Sequence, residues 1–113
     1  MNGHNEWLPI GSVVLMDGGS RAVTITGCML REESGELWDY VGVPHPQGWS
    51  GPGSLMVFNR GDIARVVALG YMDPDGDRFL AELDAHDEEW RRHRASAAAV
   101  REVVDVDQGA DAR

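Results

Sequence analysis

Leu8-Pro9-Ile10-Gly11-Ser12-Val13-Val14-Leu15 and Asp39-Tyr40-Val41-Gly42-Val43-Pro44-His45-Pro46-Gln47-Gly48 are the two runs on which the reading of the fold turns. Each joins a β-branched core segment to Gly and Pro at short offsets, so each specifies a strand together with its turn. Neither run holds a usable nucleophile, an acid/base pair or a metal-ligand cluster. They point to a small binding or accessory domain.

Working outward from these runs, the pattern predicts strands first and helix last. The first strand spans residues 12–16, with Pro9 ahead of it where a missing N–H does no harm. Asp17-Gly18-Gly19-Ser20 closes a tight turn. Residues 22–30 alternate, Val23 and Ile25 against Thr24 and Thr26, with Gly27 a candidate bulge. Leu37 opens a third strand that Pro44 and Pro46 end, and residues 47–53 form a Gly/Pro loop around Trp49. A fourth strand over 54–58, a turn at Asn59-Arg60-Gly61-Asp62 and a fifth strand within 63–71 complete the sheet. Five short strands in so few residues imply a strongly curved antiparallel sheet or a small barrel.

Asp73-Pro74-Asp75-Gly76-Asp77 then starts a helix, with Asp75 or Asp77 as the expected N-cap. Phe79, Leu80, Leu83 and Trp90 share a stripe at helical spacing. The helix is expected to break near Arg94, with a second helix after it and a frayed tail from residue 105. The fold class is therefore α+β, with residues 1–94 as one domain and 95–113 as a helical extension and tail. The stripe Phe79, Leu83 and Trp90 packs on the sheet or joins two copies in a homodimer.

Composition narrows the function classes. The 113 residues make one domain with a real core and ordinary apolar content of 42%. Ten Arg and no Lys face 19 acidic residues, a net charge of −9. That balance repels nucleic-acid backbones and anionic membranes, so neither is expected as a partner. Without Lys there is no Walker A loop, Schiff-base enzyme or Ser-Lys hydrolase. Cys28 is the only cysteine, which rules out a disulfide within the chain and suits a cytoplasmic location. No signal peptide is read at the N-terminus, and no apolar run approaches the roughly 20 residues that span a bilayer.

The candidate motifs favour plain structural roles. The acids of 73–77 alternate as in a calcium loop, but Arg78 stands where an EF-hand needs Gly and Asp84 where it needs Glu. His86 and His93 are seven apart, about 10 Å along a continuous helix, too far for a helical metal pair. Asp87, Glu88 and Glu89 form a solvated face, and no Ser lies in a Gly-x-Ser-x-Gly setting. No catalytic activity, metal or cofactor is expected.

The aromatics carry two readings. Trp38, Tyr40 and Trp49 either form a small core under the Gly/Pro loop or present an anchor to a partner. On the second reading Pro44 and Pro46 stiffen the loop, and Asn59 and Asp62 lie beside it. Trp38, Tyr40, Pro44, Pro46, Trp49, Asn59 and Asp62 are the candidate partner-binding residues.

The first run, then Tyr40-Val41-Gly42-Val43-Pro44 with Pro46 and Gly48, then Phe58-Asn59, Asp62-Ile63 and Leu69-Gly70-Tyr71 before an acidic helix, resembles domain-of-unknown-function family 4176. The resemblance covers roughly residues 8–83. It implies a small cytoplasmic protein encoded among type VII secretion genes of Gram-positive bacteria, near toxins with an N-terminal LXG domain. The role it implies is accessory: binding a cognate secreted toxin before export, as chaperone or targeting factor. Immunity, the neutralising of a toxin domain, is the alternative within that setting. An SH3-like barrel that binds another protein or a nucleic acid is the alternative outside it.

Overall fold

The computed structural model describes residues 6–111, with side chains through Ala99. Five strands, β1 (Val13–Met16), β2 (Ala22–Arg31), β3 (Leu37–Pro44), β4 (Met56–Phe58) and β5 (Ile63–Ala68), precede two helices, α1 (Pro74–Ala85) and α2 (Asp87–Asp111). The strands form one antiparallel sheet in the order β4-β3-β2-β1-β5. The expected α+β class is what forms.

The connection between the two edges sets the curvature. Phe58 ends β4 and Ile63 begins β5, with only four residues between them, three of which coil into a 3-10 turn at Arg60–Asp62. A flat five-stranded sheet would hold those edges about 19 Å apart. A linker rising about 2 Å per residue falls well short of that, so the sheet curls until its edges approach. The bulge expected at Gly27 is present: pairing slips between Ile25↔Gly42 and Gly27↔Val41, leaving Thr26 as the extra residue. Such a bulge strengthens local twist and helps the curl.

The concave side holds the core of Trp7, Leu8, Val14, Val23, Ile25, Tyr40, Phe58, Ile63 and Leu83. Alternation along β2 explains Val23 and Ile25. Trp7 lies ahead of the first strand, where no periodicity marks it. It meets Tyr40 edge-on at 5.5 Å and Trp90 at 6.5 Å between ring centroids.

Several boundaries differ from expectation, each for a local reason. β5 stops at Ala68, because Gly70 passes against the first strand's entry: its N–H donates to Ser12 Oγ at 3.0 Å. A Cβ on Gly70 would stand 2.3 Å from the Ile10 carbonyl and 2.9 Å from the Ser12 nitrogen. Gly70→Ala is therefore expected to cost about 1–3 kcal/mol, read as a lowered urea midpoint at unchanged m-value. The N-cap of α1 is Asp73, neither Asp75 nor Asp77: its carboxylate accepts from the Gly76 N–H at 2.8 Å, and Pro74 occupies the first helical position.

The helical break falls at His86, eight residues before Arg94. His86 leaves the helical region (φ −106°, ψ 4°), and its carbonyl accepts from the Trp90 N–H to begin α2. Asp87, Glu88 and Glu89 fill the first turn of α2, where acids complement the helix dipole. α2 then continues to Asp111 through the stretch expected to fray; residues 112 and 113 lie outside the described residues. The stripe Phe79, Leu83 and Trp90 packs in large part within the chain. Leu83 is buried and Trp90 packs on the core, so both are used within the chain, and Phe79 alone of the three stays exposed.

Candidate functional site

Of the seven candidate residues, Pro44 ends β3, and Pro46 and Trp49 lie on the loop that joins it to β4. This loop is tied down by its own polar groups. The His45 N–H donates to the Ala22 carbonyl at 2.9 Å and the Gly48 N–H to the Pro44 carbonyl at 2.7 Å. The His45–Pro46 peptide is cis. Further on, Ser54 Oγ donates to the Gly51 carbonyl at 2.7 Å and accepts from the Ser50 N–H at 3.0 Å, bracing a 3-10 turn at Pro52–Ser54. Trp49 stands out from this braced loop with 64% of its surface exposed, and Leu55 and Met56, where the loop runs into β4, are exposed too. No core forms under the loop.

At the root of the loop lies an open cleft of about 490 Å³. Pro44, Met56, Met16, the Gly18–Gly19 turn, Arg21 and Val23 are among the residues that line it. Arg21 is its charged lining residue.

The other four candidates take different places. Tyr40 is wholly buried, its hydroxyl accepting from the Leu8 N–H at 2.7 Å, and burial pushes its pKa well above the ordinary tyrosine value. It is a core residue with no surface to offer. Trp38 is half-buried, its indole N–H donating to the Glu32 carboxylate. Asn59 and Asp62 build the turn between the sheet edges: the Asn59 N–H donates to Asp62 Oδ2, and Asn59 Oδ1 accepts from the Asp39 N–H, each at 2.9 Å.

A second polar assembly was not read from the sequence. Asp39 on β3 is fully buried. Its Oδ2 accepts from the Arg60 backbone N–H at 2.8 Å, Arg60 Nε at 3.1 Å and Arg94 Nη1 at 2.5 Å; its Oδ1 accepts from the Trp90 indole at 2.7 Å. Burial by itself would raise the Asp39 carboxyl. The hydrogen bonds from Arg60 and Trp90, with the charges of Arg60 and Arg94, outweigh it and hold the group below the usual carboxylate range.

Arg60 also donates from Nη2 to Asp87 Oδ1 at 2.7 Å, where the Trp7 indole N–H donates as well at 3.0 Å. The Arg60 guanidinium lies 4.2 Å above the Trp7 ring centroid. Burial would lower its pKa, but Asp87 and Asp39 raise it, so the charge is locked on. The assembly fastens α2 to the sheet. Both Asp39 oxygens are occupied by donors, so the group is a structural anion and not a proton shuttle.

Among the described residues no group of three or more His, Cys, Asp or Glu is placed to hold a metal. His86 sits at the break between the helices, with its Nδ1 2.9 Å from the Glu82 carbonyl. Burial raises the Cys28 thiol, which disfavours the thiolate. Among the described residues no helix is long and apolar enough to cross a membrane.

Comparison with curated proteins and with solved structures yields no match. A profile of the family described as Domain of unknown function (DUF4176) matches residues 7–79, from Trp7 through all five strands and into α1. That span exceeds half of the chain and carries the whole sheet, and the chain belongs to the DUF4176 family.

Proposed function

We propose that this protein is a non-enzymatic, cytoplasmic accessory factor of type VII secretion that binds a cognate LXG-type toxin before export, as chaperone or targeting factor. The secretion setting is what resemblance to the family implies, and it stands here as part of the proposal. The observation that carries the binding reading is Trp49: a large aromatic, mostly exposed, on a loop braced by its own hydrogen bonds beside an open cleft. Exposed aromatics on a preordered loop lose little entropy on docking and recur as hot spots. The net charge of −9 suits a protein partner with basic segments and opposes nucleic acid.

The test is calorimetry with an LXG-type toxin as the titrant. Trp49→Ala is expected to weaken binding at least tenfold, about 1.4 kcal/mol, while its thermal melt stays that of the parent. Undiminished binding by the folded variant rules out the loop as the docking site. Deleting the gene separates chaperone from immunity protein: reduced toxin export marks the first, self-poisoning the second.

A further inference from the structure

The second exposed apolar surface lies at the other edge of the sheet. Leu69, Tyr71 and Met72 follow β5, and Ile10 joins them because Gly70 is held against residues 10–12 by its bond to Ser12. Met72 reaches back to Gly76 in the first turn of α1, with its sulfur 3.5 Å from where a Cβ would stand. Phe79, 44% exposed, lies one turn further along the same helix. Tyr71 is 83% exposed, the most open of the large apolar side chains.

Two observations define what this surface can receive. First, the strand edge beside it is closed to pairing. β5 carries an extra residue at Ala64 and at Val67, where its register with β1 slips, and bulges at an edge disrupt a template for an added strand. The occupant therefore docks through side chains. Second, the rim is acidic. Asp75 and Glu82 stand on the face of Phe79 at helical i−4 and i+3, Asp75 paired with Arg78; Asp77 and Asp84 lie on the opposite face, so the helix as a whole carries four carboxylates against that one cation. An apolar strip bordered by carboxylates complements an amphipathic segment whose apolar face is bordered by Lys or Arg. A second copy of the chain would bring another −9 charge and the same acidic rim to the interface.

The geometry points to a docking site, separate from the Trp49 loop, in which Leu69, Tyr71, Met72 and Phe79 seat the apolar face of a basic amphipathic helix from a partner protein. A labelled synthetic peptide of about five helical turns tests it, with Leu at i, i+3, i+4 and i+7 and Lys elsewhere. Fluorescence anisotropy gives affinity and amide shifts give the site. The expected result is saturable binding at least tenfold tighter than that of a scrambled peptide of equal composition, with shifts centred on residues 69–79. Tyr71→Ser, at a position too exposed to threaten folding, weakens it about tenfold, and Trp49→Ala leaves it unchanged. Four outcomes overturn the proposal. They are no saturable binding, equal affinity for the scrambled peptide, indifference to Tyr71→Ser, and a concentration-dependent dimer in sedimentation that Tyr71→Ser abolishes.

Discussion

Asp39→Asn is expected to destabilise the fold by about 3 kcal/mol or more, the cost of removing one member of a buried ion pair. For a domain of this size that is a fall in Tm of about 15 °C. Asn keeps the shape and can still accept from Trp90, but it leaves the buried Arg60 and the half-buried Arg94 facing each other without an anion between them. The effect depends on pH. The folded pKa of Asp39 lies below its unfolded value, so the folded state binds fewer protons and stability rises with pH through that window. The contribution is complete above the unfolded value of about 3.9 and drains away as pH falls through the folded one. Circular-dichroism melts across acid pH check it: the parent loses Tm steeply below about pH 4, and the variant starts lower and falls less steeply. Equal melts at neutral pH would show that the cluster does not stabilise the fold.

Trp7→Ala is expected to cost about 4 kcal/mol, within the range for truncating a buried large aromatic. Trp7 is 4% exposed and touches four parts of the structure: Tyr40 and Trp90 by their ring edges, Arg60 by its charge, and Asp87 by a hydrogen bond. Its loss opens a cavity and wets Arg60 together. Trp7→Phe separates these contributions, keeping most of the bulk but dropping the indole donor to Asp87; about 1–2 kcal/mol is expected there. Urea unfolding of the two variants gives both numbers, and near-ultraviolet dichroism reports whether Trp90 keeps its packed environment. Equal losses would mean that the hydrogen bond, and not the ring, dominates.

Much of the sheet was legible because its information is local. Val23 and Ile25 alternate with threonines, Asp-Gly-Gly marks a turn, and Gly27 sits at the bulge. The helix start was misplaced among three acids, although Pro74 marks the residue before it as the cap. The break at His86 has no Gly or Pro; its only trace is the acidic triplet that opens a new first turn. At the candidate site, the Pro/Gly loop leaves Trp49 between a small core and an exposed anchor, and the alternation that groups Trp38 with Tyr40 does not say which face is core. The Asp39 cluster was invisible for a different reason. Its members stand 21, 51 and 55 positions from Asp39, and they meet only because the sheet curls and α2 returns across it.

That return has a bearing on where the domain ends. The family match stops at residue 79, yet Asp87, Trp90 and Arg94 lie beyond it. A chain cut at the end of the match would keep Asp39 and Arg60 inside while discarding three of the groups that neutralise and cover them. A fragment ending at residue 79 is therefore expected to be digested by protease faster than one that reaches Arg94 and keeps those contacts.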